Sequence, residues 1–275
     1  MITEEAHKIL KEMTRTSTIV LVERGNHAII QAMQVCIRHN PSRHGIIIPD
    51  QGGWLTYQHY PKKLKQKIIT LKTKYGLLDL KDLDLRSKDA CACIYENPAG
   101  YFAHQDTEKI FSICRKNGCL VILDVSGCLG DKKLCRGDHA DIIVGSFGKG
   151  KPVDLGYGGF IASKDPDISL KAVEASFDAE KIPHLIKKLK KLPGRLKHLY
   201  LACSDIKEDL KGMKIIHPSK KGIVVVVKHE SQAEKEKIIS YCQEKDLEYT
   251  LCPRYIRVME HAVCIEVKRL STDTR

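Results

Sequence analysis

Apolar residues along this chain fall into two rhythms. In the first part, short continuous apolar blocks alternate with stretches in which apolar positions recur every three or four residues. The blocks predict strands buried on both faces, and the longer spacing predicts helices packed by one face. Strands are expected over 17–22, 45–49, 90–95, 120–125, 141–147 and 159–162. A helix is expected over 26–39, where Ile29, Ile30, Met33, Cys36 and Ile37 share a face. Another is expected over 107–116, closed by the C-cap signal Asn117-Gly118. Such alternation predicts an α/β layer architecture around a mainly parallel sheet.

Beyond residue 163 the rhythm changes. A basic helix is expected over 183–192 and a second helical stretch over 194–211. A strand at 223–228 and a helix at 232–244 follow, and then short strands near 247–250, 254–258 and 262–268. This tail predicts a smaller α+β domain, so the chain divides into a large domain at 1–163 and a small one at 164–275. Ligands commonly bind in the cleft between two such units.

Composition narrows the reading. Of 275 residues, 43% are hydrophobic and 29% charged, enough apolar surface to bury a core and to exclude disorder as the main state. Lys and Arg number 46 against 34 Asp and Glu, a formal charge of +12 that favours anionic partners such as phosphates and nucleotides. The lysines cluster at 61–67 and 187–191 without interleaved aromatics and fit solvated helix faces, so nucleic acid is left open as a partner without being favoured. No apolar run is long enough to span a bilayer, and residues 1–8 lack the basic-then-apolar order of a signal peptide. No membrane contact and a cytoplasmic location are expected. The 11 cysteines are odd in number and several sit in apolar segments, which predicts reduced, buried thiols and no metal site.

Four features carry candidate chemistry. Gly25 and Asn26 open a helix directly after a strand, where free amides await a phosphate. Trp54, the only tryptophan, follows a Gly-rich loop after the strand at 45–49 and offers a flat face. Asp124 closes an apolar strand, a costly position for a carboxylate without a partner or ligand. Ser146, Lys149 and Lys151 precede the Gly-rich return Gly156-Tyr157-Gly158-Gly159. Each has a plain structural alternative by itself. Together they supply what pyridoxal phosphate requires: a lysine amine for its aldehyde, an acid for its ring nitrogen, an aromatic face and phosphate donors.

In that combination the sequence resembles the fold-type-I pyridoxal-phosphate enzymes, and among them the DegT/DnrJ-type sugar aminotransferases. The resemblance rests on Asp124-Val125-Ser126, on the segment from Ser146-Phe147 through Lys151 to Gly159, on Arg24-Gly25-Asn26-His27-Ala28, and on Asn97-Pro98-Ala99-Gly100. It implies a large fold-type-I domain with a small C-terminal α+β domain. It also implies cofactor contacts from Gly25, Asn26, Trp54, Asn97, Ser126 and Ser146, with Asp124 and a lysine as the catalytic pair. Lys151 fits the family's spacing to the glycines, whereas Lys149 fits the Ser-x-x-Lys pattern of other fold-type-I groups. Lys151 is the better match, and Lys149 is then a phosphate contact. The implied activity is transfer of an amino group from a donor amino acid, glutamate first, to a keto acceptor such as a sugar nucleotide, in a homodimer. Arg254 or Arg257 would clamp a substrate carboxylate. The chain departs from the family at Gly127, where members carry Gln or His, and at Tyr157, where they carry an acid. Two other readings remain: a lyase or sulfur-handling enzyme of the same fold using Cys128 or Cys135, and a basic protein of this fold that binds nucleic acid.

Overall fold

Residues 2–271 are described by the computed structural model; residue 1 and residues 272–275, the outer ends of the two expected domains, lie outside the described residues. After helix α1 (Ile2–Thr14), the chain lays down β1 (Thr18–Val22), α2 (Gly25–His39) and β2 (Ile46–Pro49). A short helix α3 (Tyr60–Lys63) leads to β3 (Ile68–Leu71), and β4 (Thr73–Lys74) with β5 (Leu77–Leu78) makes a small hairpin. Helix α4 (Leu80–Arg86), β6 (Ala92–Glu96), α5 (Thr107–Lys116), β7 (Leu120–Asp124), β8 (Ile142–Ser146) and β9 (Gly159–Ser163) complete this part. Seven strands form one sheet in the order β1-β9-β8-β7-β6-β2-β3. Only β9 runs against its neighbours.

The expected parallel core is therefore present, and its strands are buried on both faces as continuous apolar runs require. Helix α2 covers one face, where Ile29, Met33 and Cys36 cluster with Ile122, Ile142 and Ile161. The opposite face packs against α1, α5 and the long helix α6 (Ile182–Asp209), in a cluster that continues without a break into the C-terminal part. There a four-stranded antiparallel sheet has the order β10 (Lys214–Ile215), β11 (Val225–Lys228), β13 (Ala262–Ile265), β12 (Tyr249–Cys252), with α7 (Gln232–Glu244) packed against β13. Among the described residues no helix is long and apolar enough to cross a membrane.

Two expectations are corrected. The helices expected at 183–192 and 194–211 are one, because α6 runs straight through Pro193. An interior proline costs about 3 kcal/mol. Against that, Leu185, Leu189, Leu192, Leu196, Leu199, Cys203 and Ile206 are buried along one stripe that crosses the proline. Each such burial stabilises by roughly 1.5–3 kcal/mol, so the stripe wins. The strand expected at 254–258 is a tight turn instead, closed by Arg254 N–H to Val258 C=O at 2.8 Å and Arg257 N–H to Arg254 C=O at 2.8 Å. That turn sends Arg257 inward and leaves Arg254 outside.

Candidate active site

Strands β6, β7 and β8 end side by side, with Glu96 opposite Asp124 in the parallel register and Ser146 at the end of the next strand. The carboxyl ends of parallel strands are where α/β sheets place ligands. A cavity of about 30 Å3 lies there, lined among others by Gly25, Asn26, Trp54, Asp124, Ser146 and Lys151. The sequence had scattered these residues over more than a hundred positions; the sheet gathers them.

One wall is the start of α2. Arg24 at its N-cap makes no side-chain cap, and the first residues of the helix, Gly25 and Asn26, line the cavity. Gly25 is required by the approach of β8, since a Cβ there would stand 2.5 Å from Ser146 Cβ and 2.8 Å from Ser146 Oγ. Ser126 Oγ accepts from Ser146 N–H at 3.0 Å, which ties the ends of β7 and β8 together. Asn26 Oδ1 accepts from Trp54 Nε1–H at 2.7 Å and so fixes the indole.

At the far wall Asp124 is almost fully buried. Its Oδ2 accepts from the Tyr57 hydroxyl at 2.8 Å and its Oδ1 from Ser126 N–H at 2.9 Å, which satisfies both oxygens. Burial, with the Asp124 and Glu96 carboxylates beside it, pushes the Tyr57 phenol well above its ordinary range, so Tyr57 stays a donor.

Lys151 enters from the loop after β8. Its Nζ lies 4.2 Å from the centre of the Trp54 ring and 4.4 Å from that of Tyr101, and it donates to the Tyr101 hydroxyl. Burial pulls the ammonium down to about 8; Glu96 and Asp124 oppose the fall, and Lys268 and Arg257 add to it. About a tenth of the amine is then free at neutral pH, far more than for an ordinary lysine, which suits a nucleophile or base. Lys149 sits two residues earlier and is exposed, in a separate groove with Asp154 and Glu248. Gly150 separates them with φ +70°, a left-handed turn held by its N–H to Asp154 Oδ1 at 2.8 Å. The turn sends one lysine to solvent and the other into the cavity.

Asn97 does not join the group. Its Nδ2 donates to Leu134 C=O at 3.1 Å and its Oδ1 accepts from Gln105 N–H at 3.0 Å, so its side chain secures loops behind the sheet. Arg254 lies on the surface. Arg257 is buried, with its Nη2 3.0 Å from both oxygens of Glu266 and its guanidinium carbon 5.0 Å from the centre of the Tyr101 ring. Cys128 and Cys135 are fully buried, and burial pushes the Cys135 thiol up to about 12 and the Cys128 thiol well above its ordinary range. Neither thiol is activated, and no cysteine lines the cavity.

Two side chains that the sequence reading passed over belong here. Tyr101 takes the space beside Gly127, where a Cβ would come within 2.7 Å of its Cδ1. The missing side chain at 127 is therefore what admits the Tyr101 ring. Tyr101 itself has φ +69°, unusual for a non-glycine residue, and its N–H is held by Pro98 C=O at 2.9 Å. Glu96 is buried next to Asp124, and among the described residues neither of its oxygens has a hydrogen-bond partner. Its signal was available, because it closes an apolar strand as Asp124 does. Burial and then Asp124 raise its carboxyl to about 8, against the pull of Lys151, Tyr101 and Arg257.

This sets a pH test. Between the ordinary carboxyl value of 4.5 and about 8, the unfolded chain ionises Glu96 while the folded one keeps the proton. The folded state then binds more protons, so stability falls as pH rises through that window. Glu96→Gln cannot titrate. Relative to wild type, the variant is expected to gain a few kcal/mol between pH 5 and pH 8. Urea midpoints measured across that window check it, and a gap independent of pH would refute it. Lys151 acts with the opposite sign only above about 8, outside the window.

Residues 193–274 match the family described as the MJ1341 family C-terminal domain. No curated protein matches the chain. Solved structures do. A sugar aminotransferase, described as putative, from Streptococcus pneumoniae in its PMP form superposes with TM-score 0.75 at 15% identity, over 99% of this chain and 88% of that one. A serine palmitoyltransferase variant from S. paucimobilis bound to a PLP–myriocin adduct gives 0.72 at 14%, over 99% and 73%. The fold is that of the fold-type-I pyridoxal-phosphate enzymes. Ureidoglycine–glyoxylate aminotransferase from Bacillus subtilis gives 0.69 at 12%, over 96% and 78%. At such identities the likeness carries the fold, and the chemistry has to be argued from the site.

Proposed function

We propose that the cavity binds pyridoxal phosphate and that the protein is an aminotransferase, moving an amino group from an amino acid, glutamate first, to a keto acceptor of the sugar-nucleotide kind. The observation that carries the reading is the meeting of Lys151, Asp124 and Trp54 with an uncapped helix start in one buried site. The donor set fits the cofactor. The start of α2 at Gly25 and Asn26, with the hydroxyls of Ser126 and Ser146, would hold the phosphate; Asp124 would partner the ring nitrogen, Trp54 would cover a ring face, and the Lys151 amine would be the one to meet the aldehyde. The close approach of Gly25 to Ser146 leaves no room for any larger side chain in that cradle.

When bound, the cofactor supplies a ring that draws electrons from an amino acid's α-carbon and makes its α-hydrogen acidic. Asp124, kept in place by Tyr57 and Ser126, would hold a proton on the ring nitrogen. Lys151 Nζ, poised near neutrality, takes the α-proton and returns it. The void takes about two or three waters, so side chains at its wall, Tyr101 among them, have to move for any larger molecule. Arg257, the arginine of the expected pair on the site's side, stands behind the Tyr101 ring and would be the one to meet a substrate carboxylate once that ring moves. Lys149 stays outside, and the two-domain division at 163 and a homodimer belong to the same reading.

With the cofactor loaded, glutamate alone is expected to release 2-oxoglutarate, one per subunit, with no acceptor present. Failure with glutamate and a panel of other amino acids, in a protein that holds the cofactor, would sink the aminotransferase assignment and leave the binding intact.

A further inference from the structure

The outer face of α6 and the loop after Lys151 enclose a groove of about 650 Å3. Lys187, Lys188, Lys190 and Lys191 line it, with His184 and His198 further along the helix, and no Asp or Glu among the lining residues. Lys190 is paired with Glu5 at 2.7 Å. Among the described residues, Lys187, Lys188 and Lys191 have no carboxylate within ion-pair distance. Unneutralised cations crowded around a concavity make a field that draws anions.

We propose that this groove binds the phosphodiester backbone of a nucleic-acid duplex. The helix rises about 1.5 Å per residue, so the stretch from His184 to His198 runs roughly 21 Å. Phosphates of one strand follow each other every ~3.4 Å along a duplex axis, and the row therefore faces about six of them. No Phe, Tyr or Trp lines the groove, so it lacks the large aromatic platform of a single-strand binder. Its apolar lining is Pro152 and Val153, both buried, which offers nothing to insert into a lipid surface. A second copy related by a two-fold axis through the groove would bring the same charges against themselves. Recognition is then by phosphate alone and independent of sequence. The proposal does not depend on the cofactor reading.

Fluorescence anisotropy of the full-length protein with a labelled RNA or DNA duplex of about two helical turns tests it. With about four phosphate contacts, affinity should fall roughly a hundredfold between about 50 and 200 mM salt. The triple change Lys187→Glu, Lys188→Glu and Lys191→Glu should weaken binding at least about thirtyfold. The same three positions changed to Gln, a good helix former, should weaken it less and keep the fold intact. A control of identical net charge, Lys62→Glu with Lys63→Glu and Lys67→Glu, alters exposed lysines elsewhere and should stay within about threefold. Equal losses in the two Glu triples, no duplex binding at low salt, or binding only to phosphatidylserine vesicles would each overturn the proposal.

Discussion

Changing Lys151 to alanine is expected to abolish covalent capture of pyridoxal phosphate and to cut turnover by roughly a thousandfold or more. A positioned base contributes about 10^2–10^4 to rate, and this lysine is asked both to carry the cofactor and to move the α-proton. Its amine is the one that reaches the cavity, held over Trp54 and against Tyr101 and lowered to about 8 by burial. Borohydride reduction of loaded wild-type protein, followed by peptide mapping, should place the label on Lys151. The variant should carry none, although the phosphate cradle at Gly25 and Ser146 still holds cofactor loosely. Lys149→Ala is the control, because the left-handed turn at Gly150 keeps that side chain in solvent. Label on Lys149, or undiminished label in the Lys151 variant, would reverse the assignment.

The second large effect is expected at Asp124. Asp124→Asn should retain most of the bound cofactor and lose turnover by roughly 10^2–10^4, since a neutral amide cannot hold a proton on the ring nitrogen. The fold should survive. An amide oxygen still accepts from Ser126 N–H, and the Tyr57 hydroxyl, which donates to Asp124 Oδ2 at 2.8 Å, can rotate to accept from the new NH2. Cofactor occupancy measured beside kcat separates the two roles. Full turnover in the variant would show that Asp124 only ties strand ends together.

Much of the site is legible in the chain because its signals are local. A carboxylate closing an apolar strand, as at Asp124, advertises an expense that something has to justify. Glycine at a strand-to-helix junction, as at Gly25, advertises a close approach. The lysine-to-glycine spacing from Lys151 to Gly159 needs no tertiary knowledge to read, and the apolar blocks of β6 to β8 show burial on both faces. The same logic reached Trp54 and Ser146, whereas Ser126 came only from the resemblance.

What the chain could not settle by itself depends on direction and on sums over distant contacts. Glu96 and Asn97 are adjacent, and only the pairing of β6 with β7 puts Glu96 beside Asp124 while Asn97 turns to Leu134 and Gln105. Lys149 and Lys151 share one loop, and the positive φ of Gly150 decides which enters. Tyr101 reaches the site because Gly127, from the loop after another strand, leaves it room. Arg257 rather than Arg254 points inward because the segment turns instead of extending. Pro193 is locally a helix breaker, yet a buried stripe spread over the whole of α6 outweighs it. Sequence determines what each segment prefers; the orientation of a side chain, and the balance between a local cost and many remote contacts, exist only once the sheet has brought the segments together.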